Sequence, residues 1–402
     1  MSTDEILDQL LIPRPNGSAA LERVADFLAE RLQAAGALVT HQSFTATPHG
    51  FQLVWTAALL LAVGYVLAIA RRRHLLALAL IASTAVLLLA EFEYLRSPVS
   101  GLLPATERNV IGTFGGQPGG PWLFFTAHYD TTTHFGDHFS WGRWGYLQGP
   151  GTALAVALAL LGAWAARRGR PLPHGLAVPL ACLAVLPIGA MFWFQAVGPL
   201  VRTPSPGAID NGGSVATLLR LAEELSTRPA NVATNVQIVF LAAEEERALG
   251  SWAFAQRLDP ASPMAVVNLE SVGASRELAY IPEDGFATRR FRSSDAMVAL
   301  VHDTARQVWG TPLPPRTLPD GVLTDGRSFL AHGIPTITLR AYTGGAFPRR
   351  LHSRYDSRDR LVVAEIDRAA HLLRALVARV DADPSLVTSL TAKRRVESAQ
   401  EN

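Results

Sequence analysis

The order of apolar and polar positions divides the chain into two kinds of segment. In the first kind, apolar residues run on without relief. Residues 51–70 are about the 20 needed to cross a bilayer, and residues 75–90 are long enough with their flanks. Between them sits Arg71-Arg72-Arg73-His74. Residues 146–166 and 176–200 make a second such pair, joined by a loop that carries Arg167, Arg168 and Arg170. Four apolar segments paired around short Arg loops predict two transmembrane hairpins, four transmembrane α-helices in all. Core helices of a large soluble domain are the competing reading, and they leave the paired Arg loops unexplained. Pro179, Pro187 and Pro199 are tolerated in a membrane helix and can kink the last one.

In the second kind, short apolar runs alternate with amphipathic stretches. Residues 18–35 have helical periodicity, with Leu21, Val24, Phe27, Leu28 and Leu32 on one side. Strands are expected at 109–114 and 122–127, separated by the turn 115–120, and again at 236–243, 265–269 and 335–340. Helices are expected at 214–226, 249–258, 295–309 and 361–380, the third burying Met297, Leu300, Val301 and Val308. Strands that read as continuous apolar runs and alternate with helices point to an α/β fold, a mostly parallel sheet sandwiched by helices. Residues 1–50, 96–145 and 201–382 then belong to one α/β domain. Residues 51–95 and 146–200 are the hairpins, and 383–402 is a flexible tail. There is no internal repeat.

Composition adds little to this division. The chain is 49% hydrophobic and 17% charged, low in charge for a soluble enzyme, and the apolar excess lies in the hairpins. Each hairpin returns the chain to its starting side, so the polar segments share one side. The Arg clusters place the hairpin tips in the cytoplasm and the α/β domain outside it. Residues 1–50 carry no signal peptide and would cross as a tail, which argues the other way. A net charge of +2 gives no nucleic-acid signal, and Lys393-Arg394-Arg395 reads as a solvated end. The single cysteine, Cys182, lies in the fourth apolar segment, so no disulfide forms within the chain and the compartment is not marked. The oligomeric state is not encoded legibly. The lipid bilayer is one expected partner.

Candidate chemistry gathers where strands end. Glu244 and Glu245 follow the run 236–243, His128 and Asp130 follow 122–127, and Glu270 ends 265–269. Asp210 sits in Gly207-Ala208-Ile209-Asp210-Asn211-Gly212-Gly213, and His352 in Leu351-His352-Ser353. Open α/β sheets bind ligands beyond the carboxyl ends of their strands. Histidines and carboxylates gathered there are the donors of an oxygen/nitrogen zinc site. Singly, each has a plainer reading. A His-x-Asp is usually structural, an Asp-Asn-Gly-Gly turn is ordinary helix capping, and a Glu run is commonly a solvated helix start. Glu270 could mark a strand end, and His352 could be a surface residue among arginines. Their order changes that balance.

In that order the residues resemble a co-catalytic zinc exopeptidase of the MH clan, the group that includes secreted bacterial leucyl aminopeptidases. The matching blocks are Ala127-His128-Tyr129-Asp130-Thr131, the Asp210 turn, Ala243-Glu244-Glu245 with Gly250-Ser251, Val267-Asn268-Leu269-Glu270, and Leu351-His352-Ser353-Arg354-Tyr355-Asp356. Thr324-Asp325 ahead of Gly333-Ile334-Pro335 matches a sixth. The resemblance covers most of the polar chain from 109 to 380 and leaves out the hairpins. It implies two zinc ions. His128 and Glu270 would hold one, Glu245 and His352 the other, and Asp210 would bridge them. Glu244 would be the general base, and Asp130 would orient His128. The implied activity is hydrolysis of peptide bonds by water that the two metals activate. Peptides would be substrates, and the mode exopeptidase, most often aminopeptidase. A glutaminyl cyclase, with one zinc and intramolecular acyl transfer, shares this scaffold. A non-catalytic receptor-like domain is the third reading.

The chain departs from the pattern in three places. Position 270 is Glu where many members have Asp. Glu246-Arg247-Ala248-Leu249 replaces a Gly-Leu pair, bringing Arg247 near the site, to meet a substrate carboxylate or a surface acid. A hairpin separates His128 from Asp210, which places the metal site close to the membrane surface. Elsewhere, His134 and His138 line the cleft or sit in a loop at the membrane interface, and Trp141, Trp144 and Tyr146 fit an interfacial belt. His302 and His332 look like positions without partners.

Overall fold

A computed structural model describes residues 1–136, 141–229, 231–259, 261–286, 289–318, 322–344 and 347–390. The first half of the chain contains α1 (Thr3–Leu10), α2 (Ala19–Ala34), β1 (Leu38–Ala46), α3 (Gly50–Ala70), α4 (His74–Leu88), β2 (Ala105–Phe114), β3 (Trp122–His128), α5 (Gln148–Arg167) and α6 (His174–Met191). The second half adds α7 (Gly213–Leu225), β4 (Asn235–Leu241), α8 (Leu249–Ala255), β5 (Met264–Glu270), β6 (Glu277–Ile281), β7 (Glu283–Phe286) and β8 (Arg289–Arg292). It ends with α9 (Asp295–Trp309), α10 (Gly326–Ala331), β9 (Thr336–Tyr342) and α11 (Val363–Ala382). These elements divide into two compact units. One comprises Met1–Ala46, Ala105–Thr132 and the chain from Ser205, and the other Thr47–Pro104 with Thr133–Pro204.

The first unit is built on a mixed sheet of order β1-β2-β4-β3-β5-β9-β6 among the described residues. Its centre, β4-β3-β5-β9, is parallel as the apolar runs imply, and the outer pairs are antiparallel. Every residue of β5 and β9 is buried, as expected of strands covered on both faces. The strands on either side of the turn 115–120 are not neighbours, because β4 lies between β2 and β3. A short β7–β8 ribbon stands apart from this sheet.

Helices start where side chains can cap them. Ser18 Oγ accepts from Leu21 N at 3.1 Å, and α2 then buries Leu21, Val24, Leu28 and Leu32 on one stripe. Ser2 and Glu5 form a reciprocal capping box that starts α1. Ser294 caps α9, and Gly310, at φ 76°, ends it. The residues 383–390 correct the expectation of a flexible tail. Val387 and Leu390 are buried in the same core as α11, three residues apart on one helical face. The rest of that tail, with Lys393-Arg394-Arg395, lies outside the described residues.

The second unit holds four helices long and apolar enough to cross a membrane: Gly50–Ala70, His74–Glu93, Gly142–Arg167 and His174–Val201. Small residues let them approach, with Ala58, Ala62, Ala77, Ala155, Ala159, Ala181 and Ala184 all buried. Leu60, Leu75, Val86, Leu160, Leu161 and Leu183 face outward, as lipid-facing residues do. The unit is wider than the hairpins expected at 51–95 and 146–200, for local reasons. The Glu91 carboxylate accepts from Val99 N, Ser100 N and Ser100 Oγ, which folds the following loop back onto the helix end. Phe135 N donates to Phe194 O at 2.9 Å, and the Phe135 ring meets Trp141 and Trp193. Trp141 and Trp144 pack beside Trp55, Ile188 and Phe194, and the buried His134 ring lies 4.4 Å from Phe194. His138 lies outside the described residues.

A candidate two-metal centre

The residues expected at the site come together at the carboxyl end of the parallel strands. β3 ends in His128 and β5 in Glu270, while Glu244 and Glu245 follow β4 after a short turn. Asp210 precedes α7, and His352 lies in the loop after β9. Two groups of three donors form there, each with one ligand atom per residue within 4.8 Å of the others. The first is His128, Glu244 and Glu270; the second is Asp210, Glu245 and His352. Asp210 stands between the two imidazoles, its Oδ1 3.1 Å from His128 Nε2 and its Oδ2 2.9 Å from His352 Nε2. His352 Nε2 also lies 3.2 Å from Glu245 Oε2. His128 Nε2 lies 3.7 Å from Glu270 Oε1 and 3.8 Å from Glu244 Oε2.

Asp130 holds three of these pieces. Its Oδ1 is 3.4 Å from His128 Nδ1 and accepts from Glu244 N at 3.2 Å, while its Oδ2 accepts from Glu245 N at 3.1 Å. Asn16 donates to Asp130 Oδ2 at 2.8 Å and accepts from Ala243 N at 3.1 Å. One carboxylate thus stands beside the imidazole and holds the backbone of the double Glu. Asn109 secures the same loop by accepting from Ala242 N and donating to Gly250 O. Gly250 passes so close that a Cβ there would stand 2.0 Å from Ala242 O.

Asp210 is fixed from two sides. Asp356 accepts from Ile209 N at 2.6 Å and Asp210 N at 3.1 Å, tying the turn to the loop that bears His352. Asn211 donates to Leu269 O and accepts from Ser271 N, tying it to the end of β5. The backbone around the site is left-handed at non-glycine residues: Ala243 (φ 57°), Arg247 (72°), Ala248 (60°), Ser271 (53°) and His352 (56°). Each costs roughly 1–3 kcal/mol and persists where surrounding contacts over-determine it, commonly at functional sites.

Electrostatics set the protonation of the cluster. Burial pushes the Glu244 carboxyl well above its usual range, against the pull of His128 and with the help of Glu270, Asp325 and Asp210. Burial, Asp210 and Glu244 do the same to Glu245. For Asp210, burial is outweighed by the imidazoles of His128 and His352 beside its two oxygens, which hold it well below the carboxylate range. Burial opposes a charged His128, yet Glu244, Asp130, Asp210 and Glu270 raise it well above an ordinary imidazole. Asp325, also fully buried, is pushed up by burial to about 7.

The donors fit a metal. Both ring nitrogens of His128, Glu245 Oε1 and Glu270 Oε2 are buried without a hydrogen-bond partner. Buried polar atoms are normally satisfied, so carboxylate and imidazole atoms that converge here without partners are suited to hold a cation. Imidazoles and carboxylates in two sets suit zinc.

Two residues of this site carry no motif. Asn16 is one. The other is Arg14, fully buried, whose guanidinium donates to the carbonyls of Leu10, Ile12, Tyr129, Pro206 and Gly207. It joins the strand end at His128 to the Asp210 turn and sets a cation behind the acidic cluster. Arg247 is buried. His332 and His302 do have partners: His332 Nδ1 is 2.7 Å from Ser328 O with Trp252 against its ring, and His302 lies against Tyr280.

Comparison with known proteins bears on the fold. Residues 194–377 match the model of peptidase family M28. Endoplasmic reticulum metallopeptidase 1 of Mus musculus is 28% identical over 190 residues, 46% of this chain and 20% of that protein. The chain therefore spans about a fifth of the length of that relative. Among solved structures, the zinc aminopeptidase BSAP of Bacillus subtilis matches with a TM-score of 0.54 at 14% identity, covering 94% of each chain. Porphyromonas gingivalis glutaminyl cyclase matches with a TM-score of 0.53 at 16% identity, over 94% of this chain and 99% of that one. At such identities the structural likeness establishes the fold alone.

Proposed function

We propose that this chain, whose residues 194–377 match peptidase family M28, is a membrane-embedded two-zinc exopeptidase acting on peptides with a free N-terminus. The observation that carries this reading is Asp210, one oxygen turned to His128 and the other to His352, with a second carboxylate beside each imidazole. His128 and Glu270 would hold one ion, Glu245 and His352 the other, and Asp210 both. Zinc bound there supplies Lewis acidity, acidifying water and polarising a carbonyl. Glu244 is the general base: its half-buried carboxylate, 3.8 Å from His128 Nε2, takes a proton from water and returns it to the leaving amine. Asp130 fixes the His128 ring and the backbone of Glu244 and Glu245 together. Aminopeptidases and glutaminyl cyclases share this fold, so the fold does not choose between them. Two adjoining donor groups, the first with Glu244 beside His128 and Glu270, favour the two-metal hydrolase. The domain would face away from the cytoplasm, with the Arg-bearing hairpin tips inside. A cysteine placed beside Arg168 that reacts with an impermeant thiol reagent on intact cells would reverse that orientation.

The test is hydrolysis by the detergent-solubilised chain and its Glu244→Gln variant, on peptides with free and with blocked N-termini. Cleavage of free N-termini should fall by about 10²–10⁴ in the variant, with zinc still bound at two per chain. Cleavage insensitive to blocking ends the aminopeptidase reading. One zinc per chain with cyclising activity replaces it by acyl transfer.

A further inference from the structure

Arg340 is a buried arginine whose Nε finds no acceptor among the described residues. It lies on β9, paired in register with Glu270 on β5 and Ala279 on β6. Strand alternation puts it on the same face as Thr338, whose hydroxyl is 3.3 Å from that of Thr324, next to Asp325. Asn268, two residues before Glu270, donates to the same Thr324 hydroxyl. Arg340 and the metal-site carboxylate Glu270 therefore occupy one face of adjacent strands.

The residue is 4% exposed, and its Nε has no acceptor. Among the described residues nothing accepts a hydrogen bond from it and no carboxylate pairs with it. Its register neighbour Glu270 keeps Oε2 unpartnered too, so the two charges do not neutralise each other. The guanidinium lies over the Phe347 ring at 4.5 Å, and that ring is braced by Tyr342. Two other buried arginines behave differently. Arg14 spends its donors on five carbonyls, and Arg228 is paired with both oxygens of Asp381. A buried guanidinium without an acceptor is costly, and it is expected where a ligand supplies the missing anion. Its planar fork matches a carboxylate, and an aromatic floor holds it in one plane.

We infer that Arg340, seated on Phe347, is a specificity-determining residue that receives a carboxylate of the substrate close beyond the scissile bond. Adjacent strands stand about 4.8 Å apart, and a peptide advances about 3.5 Å per residue, so that carboxylate lies one or two residues past the bond. It comes either from the free C-terminus of a di- or tripeptide or from an acidic side chain next to the cleaved bond. The inference rests on the peptidase reading for its substrate, and on Arg340 alone for its chemistry.

The zinc-loaded full chain would be assayed on Leu-Gly against Leu-Gly-amide, and on Leu-Asp-amide against Leu-Asn-amide. In the wild type, kcat/KM for the acid of one pair should exceed its neutral counterpart by about tenfold to a hundredfold. Preference in the first pair assigns the C-terminal carboxylate, and in the second the side chain. The ratio should collapse toward one in Arg340→Met, mainly through KM, and be partly kept in Arg340→Lys. A wild-type ratio of one in both pairs overturns the inference, as does a ratio that survives in Arg340→Met. If no peptide is cleaved, the peptidase reading fails and the subsite is tested separately by calorimetry with N-acetylglycine and N-acetylglycinamide. Wild-type binding of the acid only, lost in Arg340→Met, upholds the subsite; equal binding or none removes it.

Discussion

At the scale of single residues, Asp130 is the sharpest example of one group with several tasks. It lies within reach of His128 Nδ1 and accepts from two consecutive backbone N–H groups and from Asn16. Replacing it by Asn keeps the volume but removes the charge and one acceptor. Such outer partners of metal-binding histidines usually contribute 10–100-fold in metal affinity. Asp130→Asn should therefore weaken zinc binding by about that factor, read by competition with a chelator of known affinity. Unaltered affinity would confine Asp130 to a packing role. His128, Asp210, Glu244, Glu245, Glu270 and His352 were legible in the sequence because each closes an apolar run or sits in a marked turn or block. Arg14, Asn16 and Arg340 were not. Arg14 and Asn16 reach the site from more than a hundred residues away by hydrogen bonds to Tyr129 O and Asp130, which no local spacing encodes. Arg340 sits inside an apolar run, where the sequence shows only a strand.

At the scale of elements, legibility followed burial. The strands at the centre, β3, β4, β5 and β9, are buried on both faces and announce themselves as apolar runs. β1 gives no such signal: it is an edge strand, mostly exposed and largely polar, and it forms because β2 offers it a nine-residue register. Nor does the sequence show that β4 inserts between β2 and β3, since strand order depends on contacts between distant segments. The loop after β4 is where element and site meet. Gly250 lies in the first turn of α8 against Ala242 O, so Gly250→Ala must push apart the turn that bears Glu244 and Glu245. Overpacking of this kind costs about 1–3 kcal/mol. The variant should melt lower by a corresponding amount and lose proportionally more peptide hydrolysis than stability. Gly115→Ala, where a Cβ meets nothing within 4 Å, is the matched control and should change neither. Equal melting of the two variants would remove the close approach at Gly250 as a constraint.

For the whole molecule, the acidic centre makes stability depend on metal and on pH in opposite senses. Without metal, the folded state buries Asp130, Asp210, Glu270 and Asp325 around His128, with Glu244 and Glu245 half-buried beside them and Arg14 behind. Burial raises the proton affinity of Glu244 and Glu245 well above the usual carboxylate range, and of Asp325 to about 7. His128 is also raised, by its carboxylate neighbours. Groups whose affinity for protons is higher folded than unfolded contribute stability below their unfolded pKa and lose it as pH rises through the folded one. Asp210, held low, acts in the reverse sense, but only below the ordinary carboxylate range. The chelated protein should therefore gain stability as the pH falls from about 8 toward 5. The zinc-loaded protein should lose stability over the same range, because each ligand must shed its proton to bind. At neutral pH the metal itself should contribute about 4 kcal/mol when its concentration is a thousandfold above Kd. Thermal melts in detergent with and without chelator, taken at several pH values, give both slopes. Opposite signs are the signature of this centre; two parallel curves would mean that the carboxylates do not share a metal.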